Sequence, residues 1–224
     1  KMRNTKESIL EAQFTPGAGN WCTWMFGRDL VNWNNNFTWA KWVTPSRDLI
    51  STFKQEGDEV RFKESVVYYD CGWSNYYPSD NYPFMYKCRS ANSSIIKYRY
   101  ADVLLLKAEA LIMQDTPDLE GAADIIDEVR DRAKLGALSS STRSNKDALL
   151  NALLKERRLE LAFEGQRWFD LVRLDKVEEV MNAVHAKDSG RKAQVYTYDK
   201  NSYRLPIPQS VIDANDKIHQ NPGY

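Results

Sequence analysis

The residues that catalytic and metal sites usually require are scarce in this chain of 224 residues. Its two histidines, His185 and His219, are far apart, and neither accompanies a serine or cysteine nucleophile in a recognisable motif. The three cysteines, Cys22, Cys71 and Cys88, lack CxxC or Cys/His spacing, which argues against a zinc site. They allow either one disulfide, with Cys71 and Cys88 the nearest pair, or three thiols. We therefore expect no enzyme and no cofactor, although a structural calcium ion stays open.

Charge and hydropathy exclude two further classes of partner. Thirty-one basic and 31 acidic residues give a formal net charge of zero, so a nucleic-acid partner is not expected. No apolar run approaches the roughly 20 residues that a membrane-spanning helix needs. The opening residues, Lys1–Glu7, contain no secretory leader and are typical of mid-protein sequence, so we expect a piece of a longer protein.

Aromatic residues, in contrast, are abundant, and most of them precede Tyr100 among turn-forming residues. One short segment contains five tryptophans with asparagines between them: Trp21, Trp24, Trp33, Trp39 and Trp42, with Asn20, Asn32, Asn34, Asn35 and Asn36. An exposed indole ring can bury the flat C–H face of a sugar, and asparagine supplies donors and acceptors for its hydroxyls. A second cluster comprises Trp73, Tyr76, Tyr77, Tyr82 and Tyr86, with Asn75, Asp80 and Asn81. The pattern predicts a saccharide site, and the alternative is that the rings hold a long loop in place.

The character of the sequence changes near Ser94. Residues 1–94 are predicted to form a loop-rich, ligand-binding region with short strands, including Ile9–Phe14 and Val66–Tyr69. One helix is expected there, capped by Thr44, with Leu49, Ile50 and Phe53 on one face and Gly57 at its end. Residues 95–224 are predicted to be helical and to form one continuous structural unit with the first region.

Two helices beyond this point have the apolar spacing of a tetratricopeptide pair. Tyr100–Met113 and Gly121–Lys134 carry apolar residues three and four apart, and four alanines allow close approach: Ala108, Ala110, Ala122 and Ala123. A lone pair cannot bury its face, so it must pack on the next helix, on the loop-rich region, or on further repeats. The serine-rich Leu138–Thr142 is predicted to be a mobile connection. Ser144 is expected to cap a helix over Lys146–Glu164 that stops at Gly165.

Three carboxylates share one face of that last helix. Glu156, Glu160 and Glu164 are four residues apart, a spacing that a general acid/base pair or a metal cluster could use. Arginines are interleaved with them, however, and an arginine partner keeps a carboxylate ionised at low pKa. The pattern therefore favours a structural ion-pair lattice. The residues given this structural role are Glu156, Arg157, Arg158, Glu160, Glu164, Arg167, Trp168 and Asp170.

Asp58 and Glu59 are adjacent carboxylates, and a pair of carboxylates is what glycoside hydrolysis requires. They lie beside Arg61, directly after a predicted helix stop, which favours a structural role.

Several segments in order resemble the C-terminal half of the SusD/RagB family. They are Glu7–Phe14, Pro45–Leu49 with Phe53, Gly57, Asp58 and Arg61, then Arg99–Ala110, Ile125–Arg132, Glu156–Arg173 and Pro206–Tyr224. The resemblance implies a mostly α, SusD-like fold in which a tetratricopeptide-type helix pair and further helices pack on a loop-rich region with short strands. It also implies that the family's N-terminal half, with its lipid-bearing cysteine, lies outside these residues.

The function that the resemblance implies is non-enzymatic binding of an oligo- or polysaccharide at the outer-membrane surface. Such a lipoprotein delivers glycan to a SusC-like TonB-dependent transporter for nutrient uptake. The ligand-binding residues expected from this resemblance are Trp21, Trp24, Trp33, Trp39, Asn34 and Asn35. The alternative is a protein- or peptide-binding module of an import complex.

Overall fold

The computed structural model describes residues 5–14, 44–70, 77, 79–87, 94–188 and 197–224. The chain divides into two compact units, Lys1–Arg167 and Trp168–Tyr224. Helices predominate and the strands are short, so the predicted mostly α fold class is confirmed. The predicted boundary near Ser94 falls inside the first unit and stays a prediction. Across the described ranges, every helix is too short or too polar to cross a membrane.

Among its described residues, the first unit contains two two-stranded antiparallel sheets besides its helices. In chain order its elements are β1 (Ser8–Ala12), α1 (Arg47–Glu56), α2 (Glu59–Ser65), β2 (Val66–Tyr69), β3 (Tyr82–Met85), β4 (Ile95–Arg99), α3 (Tyr100–Met113), α4 (Leu119–Arg132), α5 (Ser140–Arg143) and α6 (Lys146–Glu160). Strand β1 pairs with β4, from Ser8 opposite Arg99 to Ala12 opposite Ile95. Strands β2 and β3 form a hairpin.

The helix pair α3 and α4 packs on α6. Its shared core consists of Leu105, Ala108, Ile112, Ala122, Ala123, Ile126, Val129, Leu149 and Leu153. The short side chains of Ala108, Ala122 and Ala123 are fully buried and let the pair approach closely. Ala110 is exposed, so its predicted part in this contact is wrong. Of the three expected ways to cover the pair, the structure uses the following helix, which supplies Leu149 and Leu153.

Helix α1 connects the helical core to the hairpin. Phe53 is fully buried beside Leu159, while Ile50 packs on the other side against Tyr82 and Phe84. The cap is Ser46, whose hydroxyl accepts from the Leu49 amide. Thr44 was the wrong choice because its hydroxyl donates instead to the Pro83 carbonyl, 2.9 Å away.

The segment around residue 140 differs from the prediction. Instead of a mobile connection, Ser139 begins the short helix α5, and Arg143 binds Glu120, Asp124 and Asp127 on α4. The side chain of Asn145, not Ser144, caps α6, because it accepts from the Ala148 amide at 2.9 Å. An asparagine one residue nearer the helix satisfies the same unpaired amides.

Helix α6 ends at Glu160, four residues before the predicted stop. A continuing helix would direct the Glu164 amide to the Glu160 carbonyl, but the Arg99 guanidinium (2.7 Å) and the Lys87 ammonium (2.8 Å) occupy that oxygen. The chain then turns through Gly165, which has a positive φ of 81°. Contacts from distant residues therefore decide where this helix stops.

The second unit is held by side-chain amides. Helix α7 (Arg167–Arg173) begins at the last residue of the first unit and is followed by α8 (Val177–Asp188), a 3₁₀ turn (Lys200–Tyr203) and α9 (Gln209–Asp213). The Gln220 amide donates to the Ile207 carbonyl at 2.9 Å and accepts from the Ile207 amide at 2.8 Å. Residues 205–208, with sequence Leu-Pro-Ile-Pro, therefore form a loop, and its two prolines have no N–H to donate to a strand.

Gly57 provides a test of backbone strain at the end of α1. Its φ is +69°, and a Cβ there would meet nothing within 4 Å, so Gly57→Ala adds left-handed strain without a clash. We expect a loss of about 1 kcal/mol in the free energy of unfolding, measured by urea denaturation. Gly136→Ala is the matched control, because Gly136 has equal space and no positive φ. Equal effects of the two substitutions would contradict this account.

Candidate functional site

Glu160 lies at the centre of a buried ion-pair lattice. We define this lattice as Asp58, Arg61, Arg99, Arg130, Arg132, Glu156, Glu160 and Glu164. The Glu160 carboxylate accepts from Arg61 at 3.1 Å, from Arg99 at 2.7 Å and from Arg132. Burial opposes the charge of Glu160, but the Arg99 and Arg132 guanidiniums outweigh it and lower its pKa to about 2. One carboxylate thus joins α2, the end of β4, α4 and α6.

Glu156, one turn earlier on α6, behaves differently. It is almost fully buried, accepts from Arg61 at 2.5 Å, and lies 3.4 Å from the Arg130 guanidinium. Burial raises the pKa of its carboxyl, and the two arginines offset only part of that effect. Arg61 also binds Asp58 and Glu160, so its charge is shared among three carboxylates. The prediction of a low pKa for the carboxylates of this face is therefore wrong for Glu156.

Arg99 makes the largest set of contacts in the lattice. Its guanidinium binds Glu164 through two nitrogens, at 2.7 and 3.0 Å, and reaches Glu7 on the N-terminal side of β1 at 3.0 Å. Burial alone would lower the pKa of Arg99, but Glu164 and Glu160 raise it above its usual value. Lys87 also pairs with Glu164, at 2.5 Å. A planar guanidinium with five donors can bind several acceptors at once, as Arg99 does, and a lysine ammonium in its place could not.

The arginines of α6 bind carboxylates on other elements. Arg157 is buried beside Asp102 on α3, at 2.9 Å, and Arg158 binds Asp48 on α1, at 2.7 Å. Arg167, beyond the turn, donates to the Leu154 carbonyl at 3.1 Å. Neighbouring residues on a helix point about 100° apart, so the interleaved arginines face away from the carboxylates.

Sequence reasoning missed the actual partners, which are Arg61, Arg99, Arg130 and Arg132. One signal in the sequence points to two of these arginines. Arg61 and Arg99 both belong to the segments that resemble the SusD/RagB family, and each lies near the end of a helix or strand. A long side chain at such a position can reach a neighbouring element. Nothing in the local spacing connects these arginines to α6.

The remaining residues named from the sequence also have defined neighbours. Asp58 is buried, accepts from the Arg61 amide, and binds the Arg61 side chain at 2.5 Å, whereas Glu59 is exposed and pairs with Lys63. The two carboxylates thus have different partners and do not act as a pair. In the second unit, Asp170 is buried and accepts from Arg173 at 2.8 Å, and the Trp168 ring centre lies 6.3 Å from that of Tyr198.

The predicted ligand-binding residues lie outside the described part of the chain. They are Trp21, Trp24, Trp33, Trp39, Asn34 and Asn35, and the three cysteines lie outside it as well. The described residues that bracket the first segment are Phe14, just after β1, and Thr44, just before α1.

The second aromatic cluster is only partly described. Tyr77 and Tyr82 are buried, with their rings 5.6 Å apart edge to face, and the Tyr77 hydroxyl donates to the Pro45 carbonyl at 2.7 Å. Both rings pack with Phe84 of the hairpin and Ile50 of α1 in one buried cluster, which gives these two rings structural contacts. Trp73, Asn75 and Tyr76 lie outside the described residues.

A groove of about 550 Å³ lies between α1 and this hairpin. Its main lining residues are Arg47, Ile50, Lys54, Tyr68 and Tyr77. Gln55, Ser51 and Asn81 complete the polar part of the wall. Arg47 and Lys54 are seven residues apart on α1 and so share a helix face. Over the residues that the structure describes, no cluster of three His, Cys, Asp or Glu side chains is arranged to hold a metal ion.

Comparison with known proteins gives consistent results. Residues 85–224 match the model of the SusD family. SusD-like protein P38 of Formosa agariphila is 41% identical over 139 residues, which is 59% of this chain and 25% of that protein. A SusD superfamily protein from Parabacteroides distasonis has a similar crystal structure, with a TM-score of 0.73 and 23% identity over 97% of this chain and 50% of that one. For a laminarin-binding SusD-like protein the TM-score is 0.65 at 25% identity, covering 99% of this chain and 51% of that one. The chain therefore spans about half the length of the solved structures that it matches.

Neutralisation should destabilise the protein far more at Glu160 than at Glu156. A carboxyl whose pKa falls from 4.5 to about 2 on folding contributes roughly 3 kcal/mol at neutral pH. We expect Glu160→Gln to lose about that much stability, because three arginines lose their shared partner. Glu156→Gln should cost far less or be neutral, because burial already disfavours its charge, while Arg61 keeps Asp58 and Glu160.

The pH dependence of the free energy of unfolding tests the direction of each pKa shift. The contribution of Glu160 is complete above its unfolded pKa and is lost as the pH falls toward 2, so the deficit of Glu160→Gln should shrink on acidification. The pKa of Glu156 is raised on folding, so its effect on stability runs the other way and is lost as the pH rises. Urea unfolding at several pH values measures both, with exposed Glu59→Gln as the control. Equal deficits, or a Glu160→Gln deficit that grows in acid, would exclude this assignment.

Proposed function

The chain belongs to the SusD family, and from this premise we propose that it binds an oligo- or polysaccharide at the cell surface without cleaving it. The family membership predicted from the sequence motifs is confirmed. The match of residues 85–224 to the SusD family model is the observation that carries the proposal. The laminarin-binding relative, at 25% identity, supports glycan as the ligand class.

The aromatic segment supports the location of the site. Trp21, Trp24, Trp33 and Trp39 occur among Asn34 and Asn35 in one stretch between β1 and α1. Described elements on both sides of this stretch are connected to the rest of the first unit. Strand β1, which precedes it, pairs with β4, and Thr44, which follows it, donates a hydrogen bond to the Pro83 carbonyl of the hairpin. Indole rings can stack on the C–H faces of sugars and asparagine amides can bind sugar hydroxyls, so we propose that this stretch carries the ligand site.

The carboxylates of the described residues support binding without hydrolysis. Glycoside hydrolysis needs one carboxyl that gives up a proton and another that attacks or activates water. Glu160 is held ionised by three arginines, and Glu156 is buried against Arg61. Both therefore serve better as structural anchors than as an acid and a nucleophile.

The family also suggests where such binding takes place. We place the whole protein at the outer-membrane surface, attached through a lipidated cysteine outside these residues. There it would deliver glycan to a SusC-like TonB-dependent transporter for nutrient uptake. Co-purification of the full-length protein with such a transporter tests this part separately from glycan binding.

Substitution of the tryptophans tests the site. Each of Trp24→Ala and Trp33→Ala should weaken retention in a polysaccharide affinity gel, by about five- to tenfold in Kd, because one stacking surface is lost. Trp21→Ala and Trp39→Ala complete the series. The tryptophan fluorescence of the unsubstituted protein should shift when an oligosaccharide of the same polysaccharide is added. Phe169→Ala is the control, since it removes a 65% exposed aromatic ring outside the proposed segment.

Three results would count against the proposal. Unchanged retention in all four tryptophan variants would reject the site, and capture of peptides instead of glycans would favour a peptide-binding import module. Release of reducing ends from the retained polysaccharide would show hydrolysis, whereas we expect none.

A further inference from the structure

We propose that the outer face of α3 is a docking surface for a helix of the same polypeptide, from the part of the full-length protein that precedes Lys1. We call this face the α3 stripe, and its exposed residues are Tyr100, Val103, Leu106, Ala110 and Met113. They are three or four positions apart, so they share one side of the helix. This inference concerns a surface other than the proposed glycan site and does not depend on it.

The first argument is that α3 is apolar on two opposite sides. Its core side carries Leu105, Ala108 and Ile112, which are fully buried in the cluster shared with α4 and α6. Because successive residues of a helix are about 100° apart, the stripe lies roughly opposite this core side. A helix at a protein surface normally has polar residues opposite the core, and a helix that is apolar all round is normally buried. The second apolar side of α3 is therefore expected to be covered in the whole protein.

The second argument is the contrast with α4, the other helix of the pair. The two helices have 14 residues each and share one core. The exposed positions of α4 at the same spacing are acidic, namely Glu120, Asp124, Glu128 and Asp131. In stacks of helical repeats, a terminal repeat has a polar outer face, whereas an internal repeat buries apolar residues against its neighbour. By this criterion α4 has the outer surface of a terminal repeat and α3 has that of an internal one.

The third argument is that the apolar surface continues beyond α3 onto the β1–β4 pair. Tyr98 of β4 and Leu10 of β1 are partners across this sheet, and both side chains are more than half exposed. Arg99, between Tyr98 and Tyr100, is buried in the lattice, so the two tyrosines point away from it. Single exposed apolar residues are ordinary, but a continuous set of this kind marks an interaction surface.

The fourth argument identifies the occupant from the place where the preceding chain enters. Glu7 lies against the first turn of α3, because its carbonyl accepts from the Tyr100 amide at 2.8 Å and its carboxylate accepts from the Ala101 amide at 3.1 Å. The residues before Glu7 therefore approach the first unit at the N-terminal end of the stripe. This chain covers 50% of the Parabacteroides distasonis structure, so a relative of that length has as much chain again to supply a covering helix. A preceding helix would need no long connection to reach the stripe.

Thiol labelling of the full-length protein tests whether the stripe is covered. Val103 and Val60 are 44% and 46% exposed in this chain, which makes Val60→Cys the matched control for Val103→Cys. We expect the Val103→Cys thiol to react with a maleimide at least about tenfold more slowly than the Val60→Cys thiol, because a thiol under a docked helix reacts only when the contact opens. Peptide mapping by mass spectrometry separates each new thiol from the three native cysteines. A smaller difference between the two rates would overturn the proposal.

Photo-crosslinking of the full-length protein tests which segment covers the stripe. With p-benzoylphenylalanine in place of Leu106, the crosslinked peptide should come from residues that precede Lys1 in the same molecule. The same photoreactive group in place of Val211, an exposed residue of the second unit, should not capture that peptide. A crosslink to residues 15–43, to a second copy or to an added SusC-like transporter would overturn the assigned occupant, and so would the absence of any crosslink. Neither experiment uses a glycan, so the proposed glycan-binding function is tested separately.

Discussion

The Glu160 carboxylate is the contact on which the rest of the first unit depends. It lies at the last residue of α6 and accepts from arginines of α2, β4 and α4, while its own carbonyl is held by Arg99 and Lys87. Burying such a cluster has a large desolvation cost, which only full pairing offsets. The consequence is specificity, because the fit of several guanidiniums to one carboxylate defines how these elements are placed relative to one another.

The described strands reach the helices of the first unit by two routes. Strand β1 pairs with β4, which runs directly into α3, while α1 and Phe62 of α2 pack on both the cluster of the hairpin and the cluster that contains Leu159. Phe53 packs beside Leu159 on one side of α1, and Ile50 packs on the hairpin on the other. The groove lies along this same helix, and the tryptophan-rich segment ends just before it. Helix α1 is itself anchored to the arginine–carboxylate lattice through Glu56, which binds Arg130 at 3.1 Å.

In this arrangement the charged residues of α6 bind residues of other elements. The Glu–Arg stretch of α6 contains residue types that catalytic centres use, but its side chains connect α6 to other helices and to β4. The acids of α1 are paired as well, Asp48 with Arg158 and Glu56 with Arg130 and Lys155. These ion pairs join α1 to α4 and α6.

The sequence by itself determined the elements whose signals are local. The bounds of α3, the stop of α1 at Gly57 and the family motifs follow from periodicity, backbone freedom and residue order over short distances. Tertiary structure alone decided the end of α6, the raised pKa of Glu156 and the partners of Glu156 and Glu160. Arg61 and Glu160 are 99 residues apart, and ion pairing depends on distance in space and on exclusion of water, neither of which residue spacing encodes.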